Sequence, residues 1–304
     1  MTTPASPDKP HPGAAAAAPA FSSLVRIDVS ALSHAGYRRE NNEDHFLVTR
    51  LGRTLQTLIT SLPAGDVPER TEEVNYVMVV ADGMGGHAAG EIASRMAIAA
   101  LISLALAVPD WIIRVDEEHA REMQRRSRRR FQEVGALLVE TAERDPALSG
   151  MGTTLTAARS LGRDLMITHV GDSRAYLLRA GGLHRLTRDH TFAQLLVDTG
   201  QLAPGDVVGS RHRHVLTNAL GVSDVQVDTD RLQLDDGDRL LLCSDGLTDL
   251  VDDRTITDIL REATGSSDAC ERLVQRALDN GGRDNVTVVV AAYQLPVEAT
   301  QAGQ

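Results

Sequence analysis

Three carboxylates stand beside short apolar runs. Tyr76-Val77-Met78-Val79-Val80-Ala81 is followed by Asp82-Gly83, and Leu240-Leu241-Leu242-Cys243-Ser244 by Asp245-Gly246. Asp284 comes just before Val286-Thr287-Val288-Val289-Val290-Ala291-Ala292. Each run is short, apolar and bounded by turn residues, so each reads as a buried strand. If the third run pairs antiparallel near the other two, its start lies beside their ends and the three acids meet at one sheet edge. Acids held together repel unless a cation sits between them, and an all-oxygen ligand set suits a hard cation such as Mg²⁺ or Mn²⁺.

A glycine after the acid lets the chain turn away at once, and Gly83 and Gly246 can leave a main-chain carbonyl free as a further oxygen ligand. Two such ions about 3.5–4 Å apart can share a water and lower its pKa toward neutrality, ready for in-line attack on phosphorus. The charge that develops on the equatorial oxygens calls for an arginine, and Arg38 and Arg39 are candidates. Glu43 and Asp44 open the next strand and reach the same edge if it runs antiparallel to the one ending at Ala81. Singly these signals are weak: Asp-Gly is usually a turn, and Asp284-Asn285 can cap one. The Gly-rich stretch 83–90 lacks both GxGxxG and the Lys-Ser/Thr of a P-loop. Their joint placement at strand ends carries the metal reading.

The elements that must position these residues follow from periodicity and turn chemistry. Strands are expected at residues 24–31 and 46–49, a short helix at 55–62, and long helices at 91–107 and 109–143. Strands follow at 153–158, 165–170 and 174–179, with Gly171-Asp172-Ser173 as a tight turn that puts Asp172 on a hairpin tip. A helix capped by Asp189 or Thr191 runs through Asp198. Strands at 225–234 and 240–244, helices at about 254–263 and 267–279, and a last strand at 286–292 complete the pattern. Strand runs alternating with helix runs predict an α+β layered architecture with mainly antiparallel sheets. Residues 1–22, rich in Pro, Ala and Ser, read as a disordered tail, 23–294 as the working domain, and 295–304 as a frayed end.

Composition narrows the function classes. An apolar fraction of 42% supports a core, and 3% aromatics means that Val, Leu, Ile and Ala must build it. No apolar run approaches the ~20 residues that span a bilayer, and no signal-peptide pattern opens the chain. Two cysteines in apolar settings fit a reducing, cytoplasmic compartment. The net charge of −11 disfavours nucleic acid and anionic membranes as partners. Arg121, Arg125, Arg126, Arg128, Arg129 and Arg130 suggest an anion-docking surface, but interleaved glutamates favour a solvated helix face with i,i+4 ion pairs.

These residues resemble a known family, the metal-dependent serine/threonine protein phosphatases of type 2C in their bacterial form. The resemblance rests on Arg39-Glu40-Asn41-Asn42-Glu43-Asp44, on Val80 through Glu91, and on Gly150-Met151-Gly152-Thr153-Thr154. His169-Val170-Gly171-Asp172-Ser173-Arg174, Leu186 through His190, Val215 through Gly221, Cys243 through Leu247 and Gly282 through Thr287 follow in the family's order. It covers residues 24–293 and implies a β-sandwich of two mainly antiparallel sheets flanked by helices, in four αββα layers. By resemblance Asp82 bridges two Mg²⁺ or Mn²⁺ ions, Gly83 offers its carbonyl, and Asp245 and Asp284 complete one ion's shell. Glu43 and Asp44 orient water or reach the second ion through it, Arg39 holds phosphate, and Asp172 shares a third, weaker ion with Asp245. Residues 191–220 match a flap beside the site, with Ser210 a candidate oxygen. The implied activity is hydrolysis of phosphoserine and phosphothreonine on proteins by a monomer; the alternatives are a catalytically silent binding module and the phosphatase of a partner-switch regulator. Met84 stands where eukaryotic members place a proposed general-acid histidine, and His87 is not its equivalent.

Overall fold

The strands sort into two sheets in the computed structural model, which describes residues 24–85, 88–107, 117–207 and 209–296. One sheet has the order β1 (Arg26–His34), β11 (Val286–Gln294), β10 (Arg239–Cys243), β7 (Arg174–Arg179), β8 (Gly182–Arg185). The other runs β2 (Asp44–Gln56), β3 (Arg70–Met84), β5 (Leu155–Leu161), β6 (Asp164–Val170), β9 (Asp228–Gln233), with the short β4 (Gly152–Thr153) on the end of β3. Every pairing is antiparallel. Helices α1 (Ala88–Ala107) and α2 (Glu117–Arg144) cover the second sheet, and α5 (Asp253–Glu262) and α6 (Ser266–Asp279) cover the first. The shorter α3 (Phe192–Asp198) and α4 (Asp245–Thr248) lie at the site end.

Three apolar layers hold these four slabs together, which explains why the central strands read as unbroken apolar runs. Along β11, Val286, Val288 and Val290 face α5 and α6, while Val289, Ala291 and Tyr293 face the opposite sheet. Along β3, Val79 and Ala81 face α1, while Met78 and Val80 enter the inter-sheet layer. A strand covered on both faces has no polar side to alternate. With each fully buried Val or Leu contributing about 1.5–3 kcal/mol, these layers dominate stability. Cys243 and Cys270 are buried, free and part of the layer under α6.

Several expectations are corrected. Residues 55–62 form no helix: β2 continues to Gln56, paired with Arg70, and Leu58 and Ile59 beyond it are exposed, so a helix there has no face to bury. The strand of Tyr76 begins at Arg70 and passes through Asp82-Gly83 to Met84 instead of stopping at Ala81. Asp172 is not on a hairpin tip, because β6 and β7 belong to different sheets and the turn is a crossover between them. Helix α1 is apolar enough over Ala89–Ala107 to pass a membrane-span test by length and composition (mean hydropathy 1.5), against the expectation that no run approaches that length; Ala93, Ala97, Ile98 and Leu101 are buried on the second sheet. Of the arginines of α2, Arg126 and Arg129 make the expected i,i+4 pairs, with Glu122 at 2.8 Å and Glu133 at 2.7 Å, and Arg125 pairs with Glu122 at i,i+3 and 2.6 Å, whereas Arg128 reaches off the helix to the Val227 carbonyl and Thr229. The tail at 1–22, residues 109–116 and most of 295–304 lie outside the described residues.

Candidate active site

The acids gather at one end of the sandwich, between the two sheets instead of along one sheet edge. Asp82 rides on β3 of the second sheet, and antiparallel register sets it opposite Asp44 at the start of β2. Asp245 follows β10 of the first sheet as the first residue of α4, and Asp284 precedes the neighbouring β11. The sequence shows where strands end but not which sheet holds them, so a common end was foreseeable and the two-sheet origin was not.

Close backbone approach makes this gathering possible. A Cβ on Gly83 would lie 2.1 Å from the Gly90 carbonyl oxygen and 2.9 Å from that of Glu43; one on Gly246 would lie 1.9 Å from the Asn285 oxygen. These two glycines therefore serve packing around the acids, not the turn expected of them. Asn285 is a staple that sequence reasoning passed over: its side chain accepts the Glu43 N–H at 2.8 Å and donates to the carbonyls of Ala35 and Asn41 at 2.9 and 3.0 Å. Thr154 does the same for Asp82. Its hydroxyl accepts the Asp82 N–H at 3.0 Å and shares a 2.7 Å hydrogen bond with Ser173, next to Asp172.

Each expected side chain can be located. Asp82, Asp172, Asp245, Asp284, Glu43, Arg38 and Arg39 line a cleft of about 960 Å³. Asp44 lies beneath it, 4% exposed; one carboxylate oxygen accepts from Ser244 Oγ at 2.7 Å and the other is buried with no partner among the described residues. Asp172 is 8% exposed. No hydrogen bond joins the carboxylate of Asp82 or Asp172 to another described residue. Arg39 reaches over the rim and binds Asp284 Oδ2 at 2.6 Å. Ser210 stays out of the cleft, its hydroxyl accepting the His212 N–H at 3.2 Å; the flap residues that line it are Arg213, His214 and Leu216. His87 lies outside the described residues.

Asp249 was missed by sequence reasoning, although its signal is visible: it stands four residues after Asp245, and its N–H closes the turn of α4 on the Asp245 carbonyl at 2.8 Å. That i,i+4 spacing puts both acids on one helix face. Arg213 binds Asp249 at 2.6 Å.

The electrostatics express crowding. Burial pushes the Asp82 carboxyl well above its ordinary value, and the charges of Asp44, Asp245, Asp172 and Asp284 push it further. Asp172 rises for the same two reasons, and Asp44 is pushed up to about 7, mainly by burial. A buried Asp44 oxygen without a partner and crowded acids whose carboxyls are raised by burial and by one another are what a site for divalent cations looks like from its protein side. The donor set is all oxygen apart from the flap histidine, which fits Mg²⁺ or Mn²⁺.

A family model described as protein phosphatase 2C matches residues 65–280. The chain belongs to the protein phosphatase 2C family. Over 215 residues it is 41% identical to serine/threonine protein phosphatase PstP of Mycobacterium tuberculosis, a match covering 71% of this chain and 40% of that protein. It is 38% identical over 220 residues to serine/threonine phosphatase stp of Listeria welshimeri, covering 72% of this chain and 85% of that one. The fold is similar to the crystal structure of the PstP catalytic domain in complex with two manganese ions, with a TM-score of 0.70, 36% identity and coverage of 89% and 99% of the two chains. The two antiparallel sheets and flanking helices are thus the phosphatase 2C architecture.

Proposed function

We infer that this chain hydrolyses phosphoserine and phosphothreonine on proteins with the help of two divalent cations. The observation that carries the reading is the convergence of Asp82, Asp172, Asp245 and Asp284 on one cleft, with Arg39 at its rim. Asp82, the Gly83 carbonyl, Asp245 and Asp284 would hold the ions, Mg²⁺ or Mn²⁺, with Asp172 toward a third. Bound there, the ions supply an activated water and charge neutralisation for in-line displacement at phosphorus.

The chain's own residues do the rest. Arg39, now on Asp284, is long enough to turn its guanidinium to phosphate oxygens entering the cleft. Glu43 lines the cleft wall and can accept a hydrogen bond from water; its carboxyl is raised, first by burial. Asp44 lies beneath the floor, where its carboxyl accepts from Ser244 Oγ. Met84 lines the cleft and cannot donate a proton, so no side chain is assigned to protonate the leaving seryl or threonyl oxygen.

The cleft's polar walls and the net charge of −11 support phosphoproteins, the products of serine/threonine kinases, over nucleic acid or membranes as partners. Residues 23–294 form the phosphatase domain in this reading, acting as a cytoplasmic monomer. A silent binding module is disfavoured because every acid of the site is present. Purified protein with Mn²⁺ should hydrolyse both p-nitrophenyl phosphate and a phosphothreonine peptide; failure on both overturns the reading.

A further inference from the structure

The layer between the second sheet and helices α1 and α2 is closed at the acid end of β3 and open at the other. Val79 and Ala81 are fully buried under α1, but Val77, two residues back on the same face, stays partly exposed. The opening is a cavity of about 240 Å³. Val77 and Met166 from the sheet, Leu101 and Ile102 from α1, and Phe131 from α2 give it apolar walls. An apolar cavity of about 150 Å³ takes a benzene ring, so this one has room for about ten heavy atoms.

Polar side chains break this lining. Asn75 of β3 is 8% exposed, and its Oδ1 is buried with no hydrogen-bond partner among the described residues. Register sets it between two arginines. Asn75 pairs with Leu51 on β2 and with Leu161 on β5, so Arg53 and Arg159 are its diagonal neighbours on the same face. Diagonal neighbours lie within reach of long side chains. Arg130 joins them from α2; all three arginines line the cavity half-buried, and no acid among the described residues does. Glu73, opposite Arg53, is buried outside the lining; burial raises its carboxyl, and the Arg53 charge opposes the rise. A guanidinium carries five N–H donors, so a bond made elsewhere leaves donors for a second acceptor.

We propose that this cavity binds a medium-chain carboxylate, its chain among Val77, Leu101, Phe131 and Met166 and its head held by Asn75 with Arg53, Arg130 and Arg159. In a chain of net charge −11, a cavity lined by three arginines and no acid is the place that favours an anion with an apolar body. The Asn75 amide can turn its NH₂ toward the head, because its two ends are alike in shape. Asn75 stands seven residues before Asp82 on β3, roughly 23 Å at about 3.3 Å per residue, so the site is separate from the acid cleft. The competing account makes the cavity a packing gap with arginine stems over it, which would take an apolar molecule whatever its charge.

The test uses the full, metal-free chain labelled with ¹³C at its methionine methyl groups and titrated with sodium octanoate or with octanol. Met166 reports the cavity and Met84 the acid cleft, their signals assigned by Met166→Leu and Met84→Leu. Octanoate should shift the Met166 signal saturably, with a midpoint near or below about 1 mM, and leave Met84 in place. Octanol should bind at least about tenfold more weakly. Arg130→Gln, a change on the helix surface, should weaken octanoate at least about fivefold and octanol not at all, and Arg130→Lys should restore part of the loss. Leu101→Phe should block both by filling the chamber, with an intact methyl spectrum showing that the variant folds. An unshifted Met166 signal at ten times the expected midpoint, equal binding of octanol and octanoate, or a Met84 shift that precedes that of Met166 overturns the proposal. Binding seen only after Trp111→Ser and Ile112→Ser would give the cavity to the chain's own apolar residues and overturn it as well.

Discussion

At the scale of single residues, charge and volume separate cleanly in this site. Asp245 touches both the acid cluster and the flap. Asp245→Asn removes charge and keeps shape, so it should reduce kcat by several orders of magnitude while leaving the urea midpoint of the metal-free protein unchanged or higher, because one repulsive charge is gone. Gly83 makes the reverse case. Gly83→Ala adds one methyl group where a Cβ meets backbone oxygen at 2.1 Å, and backbone cannot step aside as a side chain would. Overpacking of this kind costs about 1–3 kcal/mol, and here it also displaces Asp82; a chemical denaturation curve and a Mn²⁺ titration on the same variant should both shift. The acids were legible in the sequence because each ends or begins a strand. Asp249 and Asn285 were not read as site residues, since their value lies in what the fold brings to them.

At the scale of elements, the sequence showed most helices and strands but not how they cap or cross. Helix α6 starts after Gly265, which has no side chain to cap it; Asp28 of β1 accepts the Ser266 N–H at 2.7 Å instead. Asp28→Ala should therefore cost roughly 1 kcal/mol, as loss of a local N-cap does, visible as a lower urea midpoint with unchanged slope. On β6, His169 is 1% exposed between the Thr156 hydroxyl, 2.8 Å from Nδ1, and the Arg188 carbonyl, 3.1 Å from Nε2. Burial first, then the neighbouring His190, lowers its pKa from 6.5 to about 4. The unfolded chain therefore binds a proton that the folded one refuses, so this contribution is present above pH 6.5 and is lost as pH falls toward 4. The loss should be on the order of 3 kcal/mol, read as the difference between wild-type and His169→Gln stability across that range. The β6–β7 link could not be read at this scale, because strand, Gly-Asp-Ser and strand look the same whether the partners pair or part.

At the scale of the whole molecule, the proposed cations would compete with protons for the same end of the sandwich. Asp44, Asp82 and Asp172 hold protons more tightly when folded than their ordinary value of 3.8 allows. In the metal-free protein this contribution is present at low pH and is lost as pH rises, for Asp44 toward about 7. A divalent ion reverses that loss and binds better once the protons leave. The rise in Tm on adding Mn²⁺ should be larger at pH 8 than at pH 6, and a chelator should return both samples to the metal-free Tm; equal rises at the two pH values would count against cation binding by these acids.

The sequence by itself determined the α+β class and the family, because residue type and local period are written along one chain and need no partner to be read. Tertiary structure alone decided that Asp82 and Asp245 come from different sheets, that Asp172 sits on a crossover, and that two glycines serve contact instead of turning. Each of these depends on which strand lies beside which. Pairing across many residues is set by burying both faces of both sheets at once, a property of the assembled layers that no short stretch of sequence carries.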